Sequence, residues 1–213
     1  ATYKEKLAGE SEEAPHADLA AAVHRLVGQG VGGMELVEAY YRARMFEKAE
    51  EASRRILESS PDHAGAATYL AMAIAGRSGQ QKSPMKSMEF VNRAIAQFDK
   101  AFPVCKSPDE LLTIYLERGR YFASVPESIF RKSAAAAEDY LKAAAIVRQQ
   151  GSSSDRPTLL ADCYINAARA LARSGNADEA EIYFHKAAKS ENLTTEQIVA
   201  LLERGIVPAA LRR

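Results

Sequence analysis

Apolar positions along this chain recur at spacings of three and four, the period of helices buried on one face. Tyr164, Ala168 and Leu171 form one such stripe, Gly175-Asn176 breaks it, and Ala180, Phe184 and Ala187 form a facing stripe beyond the break. The same arrangement lies between residues 30 and 63, with Leu36 and Tyr40 on a first helix, Phe46 at the turn and Ala49 on a second. Leu70, Ala71 and Ile74, then Val91, Ala94 and Ile95, predict another pair, separated by the polar connector Gly76–Pro84. A capping box, Ser107 followed three residues on by Glu110, opens a further pair, whose second helix carries Ala136, Tyr140 and Ala143. Ser60-Pro61 and Ser83-Pro84 each offer a Ser N-cap with Pro at the first helical position. A helix over 16–28 precedes the pairs, and Thr194-Thr195-Glu196-Gln197 opens a last one over 195–211 that covers the apolar end. Residues 1–15 read as a loose tail and Gly151–Asp155 as a flexible turn. The expectation is an all-α single domain over 16–213, built of about ten antiparallel helices with no sheet. Ala49, Ala94, Ala143, Ala180 and Ala187 are expected at helix contacts, where only small residues fit.

The Ala161–Thr194 pair resembles a tetratricopeptide repeat (TPR), a helix-turn-helix of about 34 residues. Gly-Asn at the turn followed by Ala, an aromatic and Ala carries the likeness, and Gly30–His63 is a second copy, with Pro61 twelve residues after Ala49. That copy departs from the family at Arg44, where Gly is usual, and at Ser53 and Ile56. The resemblance implies repeats at about 30–63, 64–106, 107–151 and 157–194, stacked as a right-handed superhelix with N- and C-terminal capping helices. It also implies a non-enzymatic binding protein that holds a protein or peptide partner in a concave groove. By position in the repeat, the groove would draw on Met34, Glu38, Tyr41 and Arg42, then Thr68 and Met72, then Thr113, Glu117, Arg120 and Tyr121, then Ile165, Arg169 and Arg173. The chain also resembles, more weakly, periplasmic helical-repeat components of bacterial lipid (sterol) or TRAP-type transport systems. That likeness implies an apolar ligand with one polar end, held in a cavity between helices, and a periplasmic setting, with cytoplasmic placement as the alternative. The expected contact residues are Tyr41, Arg42, Met72, Arg120, Tyr121, Phe122, Phe130, Arg169 and Arg173.

Two readings stand for those arginines. Arg is a planar fork suited to carboxylates, but a charged helix face is commonly just solvated. Two also stand for Phe122–Phe130, an insertion the family does not require: a buried extra turn, or the lining of an apolar pocket.

Composition narrows the classes. The 213 residues carry 28 Lys+Arg against 28 Asp+Glu, a balance that argues against a nucleic-acid partner. Hydrophobic residues make up 47% of the chain, which argues against disorder. The longest nearly apolar stretch, Gly65–Gly76, is too short to span a bilayer. The chain opens on Ala1, which leaves room for a removed secretory or lipoprotein leader. Cys105 and Cys163 share no metal or redox spacing and read as free thiols of a helical core. His16, His24, His63 and His185 are dispersed, so no metal site is expected, and no cofactor either. Gly28, Gly30 and Gly33 match a dinucleotide-binding fingerprint in spacing, but a helix rather than a strand precedes them, so they read as a linker. Asn192-Leu193-Thr194 is a glycosylation triplet short enough to arise by chance. No nucleophile elbow or phosphate loop appears, and no catalytic residue is expected.

Overall fold

Caps and turns set where each helix begins and ends. The structure, a computed structural model, describes residues 13–150 and 156–190. It comprises α1 (Glu13–Gly28), α2 (Gly33–Arg42), α3 (Phe46–Ser59), α4 (Ala64–Gly79), α5 (Pro84–Ala101), a 3-10 turn (Phe102–Val104) and α6 (Pro108–Ser124). The single-turn α7 (Glu127–Phe130), α8 (Ser133–Gln149), α9 (Arg156–Arg173) and α10 (Ala177–Ser190) follow. Among the described residues there is no strand. Residues 1–12 of the expected tail, the Gly151–Asp155 turn, the Asn192 triplet and the capping helix 195–211 lie outside the described residues.

The expected pairs are present: α2 packs on α3, α4 on α5, α6 on α8 and α9 on α10. Contacts gather into two compact units, Ala1–Cys105 and Lys106–Arg213. In the first unit α4 touches α2 and α3 as well as its partner α5, and in the second α9 touches α8 as well as α10.

Ser83 caps α5 and Ser107 caps α6 as the sequence predicts. The Ser107 capping box is complete: Glu110 N–H donates to Ser107 Oγ at 3.2 Å, and Ser107 N–H donates to Glu110 Oε2 at 2.9 Å. Ser60-Pro61 behaves differently from expectation. Ser60 closes α3, and His63 N–H donates to the Ser60 carbonyl at 3.1 Å, so Pro61 occupies the second position of a β-turn. The cap of α4 is therefore His63, whose Nδ1 accepts from Ala66 N–H at 3.2 Å.

Three turns share one geometry. Val31 N–H donates to the Leu26 carbonyl at 3.0 Å, Met45 to Tyr40 at 2.9 Å and Asn176 to Leu171 at 2.9 Å. In each, the residue before the donor lies in the left-handed region: Gly30 at φ +76°, Arg44 at +56° and Gly175 at +91°. This is the Schellman closure, which glycine enters freely and an L side chain enters at about 1–2 kcal/mol. Arg44 thus occupies the family's glycine position without glycine's freedom.

Packing follows a small–large–small rule on the second helices. Ala94-Phe98-Ala101, Ala136-Tyr140-Ala143 and Ala180-Phe184-Ala187 are all buried, and all five alanines expected at contacts are buried with them. Phe98 and Ala101, which complete the pattern on α5, are not among the residues singled out from sequence. In the first repeat Ser53 stands in the aromatic position, fully buried, its hydroxyl donating to the Ala49 carbonyl at 2.8 Å. Both cysteines are free thiols, and burial pushes the Cys163 thiol up to about 12.

Candidate functional site

In the first unit, α4 is apolar nearly all round because α2, α3 and α5 pack against it. Thr68 and Met72, expected to face a groove, are therefore buried. Tyr41 is half-buried, its ring 5.4 Å from Phe46 and 5.6 Å edge-on to Tyr69. Arg42 is exposed and lies 3.6 Å from Glu38. An open groove of about 490 Å³ runs between α2 and α3, lined by Leu36, Tyr40, Lys48, Arg55 and Ile56 among others. Lys48 sits over the Tyr40 ring, and Arg55 is paired with Glu51 at 2.5 Å.

Sequence reasoning missed the charge hub that joins α3 to α4 and α5. Glu50, buried on α3, accepts from Arg54 at 2.8 Å, from Arg77 of α4 at 2.7 Å and from Arg93 of α5 at 3.2 Å. Arg77 and Arg93 also lie over the Phe90 ring, at 4.8 and 4.7 Å from its centroid. Burial works to raise the Glu50 pKa, but the hydrogen bonds and charges of Arg54 and Arg77 hold it below the usual range. Only the Glu50–Arg54 spacing of four was visible in the sequence.

In the second unit the insertion is tied down on both sides. Glu127 accepts from the first N–H of α8, Ser133, at 2.8 Å. Arg173, at the end of α9, donates to the carbonyls of Ala123 and Val125, and so fastens α9 to the end of α6. Phe122 is buried, with Arg118 and Lys132 over its ring at 5.3 and 5.2 Å, and Val125 is buried beside it. Phe130 is half-buried. A second missed group lies beneath. Arg118 holds Asp139 by two bonds, Nε to Oδ2 at 2.8 Å and Nη2 to Oδ1 at 2.7 Å, and the Asp139 side chain is only 1% exposed. Burial pushes the Asp139 pKa up, with Arg118 working against that shift.

The exposed first-helix face of this unit carries Arg120, Tyr121 and Arg169. Arg120, 69% exposed, pairs with Glu117 at 2.6 and 2.8 Å. Arg169 lies 3.5 Å from Asn166, and Tyr121 is half-buried. Of the nine expected contact residues, then, Arg120, Tyr121, Phe122, Phe130, Arg169 and Arg173 share the second unit, where Arg173 meets the α6 end directly. Tyr41, Arg42 and Met72 belong to the first. Among the described residues no group of three or more His, Cys, Asp or Glu could hold a metal, and no helix is long and apolar enough to cross a membrane.

Among solved structures, the crystal structure of a thermophilic TPR protein from Thermus thermophilus superposes with a TM-score of 0.60. It is 15% identical, and the match covers 90% of this chain and 96% of that chain. The fold is TPR-like. No family model and no curated protein matches the chain. The small–large–small triads and the Gly-Asn turn of α9–α10 are the sequence features through which this TPR-like chain shows its fold.

Proposed function

We propose that the chain is a non-enzymatic binding protein that recognises a protein or peptide partner on the first-helix face of its second unit. The carrying observation is that Arg120 of α6 and Arg169 of α9 are both exposed on helices that Arg173 joins by its bonds to the end of α6. Two guanidinium groups so placed suit a carboxylate of the partner, which each can grip bidentately. The TPR-like fold supports a scaffold role, since stacked helix pairs of this kind present extended binding faces. Phe122 and Val125 are buried, which supports reading the start of the insertion as a strut, while Ile129 is exposed and Phe130 half-buried beyond it.

The test is affinity capture with the intact chain beside an Arg120→Ala/Arg169→Ala variant, with bound material identified by mass spectrometry. A protein retained by the wild type and lost by the equally helical variant supports the reading. Lipid recovered on solvent extraction, with no such protein, overturns it in favour of an apolar-ligand carrier.

A further inference from the structure

Two turns of the first unit meet at one end of it. Gln80 Nε2, just after α4, donates to the Arg44 carbonyl in the turn between α2 and α3 at 3.4 Å. Arg77, one turn earlier, reaches Glu47 in the first turn of α3 at 3.2 Å. This end is rich in cations although the chain as a whole is neutral. Arg42 and Arg44 stand at the first of the two turns, Lys82 precedes the Ser83 cap of α5, and Lys86 lies in the first turn of that helix; all four are exposed. The acids nearby are partly taken up: Arg42 lies 3.6 Å from Glu38, Glu47 pairs with Arg77, and the next acid of α5, Glu89, is a turn further in. Arg44, Lys82 and Lys86 have no ion-pair partner among the described residues. Between the two lysines stands Met85, 82% exposed, the most exposed large apolar side chain among the described residues, with Pro84 exposed beside it. Arg44 holds φ +56° where glycine would be free, so a cation is kept at this tip in spite of backbone strain.

We infer that this end of the first unit docks on the surface of a membrane that carries anionic lipids. Arg44, Lys82 and Lys86 meet the headgroup phosphates, and the Met85 side chain enters the boundary between headgroups and acyl chains. The cations alone would suit any polyanion. Met85 decides for a lipid surface, because an apolar side chain gains nothing from a free phosphate or a sugar-phosphate backbone but gains by leaving water at an acyl boundary. Turn tips side by side also suit a broad surface, whereas a segment of chain is held by a groove or a sheet edge. Contact of this kind needs no spanning helix. It concerns the first unit and is independent of the partner face proposed for the second.

The experiment is sedimentation of the intact chain with vesicles of phosphatidylcholine alone and of phosphatidylcholine mixed equally with phosphatidylglycerol, at low and high salt. The chain should pellet with the anionic vesicles at low salt, hardly at all with the neutral ones, and should be released as salt screens the charges. Lys82→Gln/Lys86→Gln should lower the partition coefficient about 25-fold, at about fivefold per cation. Arg44→Gly should lower it about fivefold while melting no lower than the wild type, so that lost binding is not lost folding. Met85→Ser should weaken binding by a factor that salt leaves unchanged, as removal of an apolar contact does. Absence of wild-type binding to the anionic vesicles, equal binding to both vesicle types, or full binding by the double lysine variant would overturn the proposal. Unchanged binding by Met85→Ser would overturn the lipid assignment and leave a general polyanion site.

Discussion

The first unit surrounds its buried carboxylate, Glu50, with three arginines drawn from three helices, whereas the second gives Asp139 a single arginine in a two-bond grip. Glu50 is held below the usual carboxylate range and Asp139 above it, although both are buried. Asp139 is the more deeply buried of the two and has fewer arginines bonded to it, so the cost of leaving water and the number of cations act in the same direction. The redundancy also differs. Glu50 can lose one partner and keep two, but Asp139 has no second arginine bonded to it among the described residues.

Arg118→Ala should thus be the most damaging single change. It strands a buried carboxylate, for which about 3–5 kcal/mol is typical. Arg93→Ala leaves Arg54 and Arg77 on Glu50 and should cost about 1 kcal/mol or less, since Arg93 is partly exposed. Urea unfolding of the two variants measures the contrast. Equal losses would mean that redundancy around Glu50 counts for nothing.

A glycine in each unit gives the next contrast. A Cβ at Gly76 would lie 2.6–2.7 Å from atoms of the Phe46 ring, too close without a shift of the ring or helix. A Cβ at Gly119 would meet its nearest neighbour, Asp139 Cβ, at 3.3 Å. Gly76→Ala should therefore destabilise by about 1–3 kcal/mol, as overpacking does. For Gly119→Ala the better helix propensity of Ala, worth about 1 kcal/mol, offsets most of the crowding. Melting of both variants decides; a harmless Gly76→Ala would show that Phe46 is free to move aside.

Much of this fold could be read in advance because its determinants are local. Ser83-Pro84, the Ser107–Glu110 box and Gly175-Asn176 act within one turn of chain, and the buried alanines follow the helix period. Pro61 misled because a proline suits both the first helical position and the second position of a β-turn, and the cap that begins α4 is the His63 imidazole rather than a Ser or Asp side chain. Arg118–Asp139 and Arg77–Glu50 are separated by 21 and 27 residues, so their pairing depends on how whole helices pack. Of the candidate site, only the exposure of single residues can be compared with expectation. Arg120 and Arg169 fall on the exposed face expected of first helices, whereas Met72 is buried because α4 meets three helices.

Arg44 and Gly175 make a finer comparison, one turn geometry with two residues. Arg44→Gly should stabilise the first unit, by about 1 kcal/mol after the greater freedom of glycine in the unfolded chain is set against the relief of strain. Gly175→Ala should cost the second unit a similar amount. Thermal unfolding of both is the measurement, and a destabilised Arg44→Gly would mean that the arginine side chain makes contacts worth more than the strain.

The smallest expected effect is the dependence on pH, and the two units should differ in its sign. Glu50 is held below its ordinary value of 4.5, so its stabilisation is complete above that pH and is lost as the pH falls through its folded-state value. Asp139 is raised above its ordinary 3.8, so between 3.8 and its folded-state value the native carboxyl keeps a proton that the unfolded chain has released. Its charge therefore detracts from stability at higher pH, and that cost is withdrawn as the pH falls toward 3.8. Stability measured across this acid range should decline less steeply in Glu50→Gln than in the wild type, because the proton uptake that drives unfolding is gone. In Asp139→Asn it should decline more steeply, because an opposing uptake by the native state is gone. Parallel profiles in all three proteins would show that neither carboxylate has a folded-state pKa far from its unfolded one, and that the arginines around Glu50 offset only the cost of its burial.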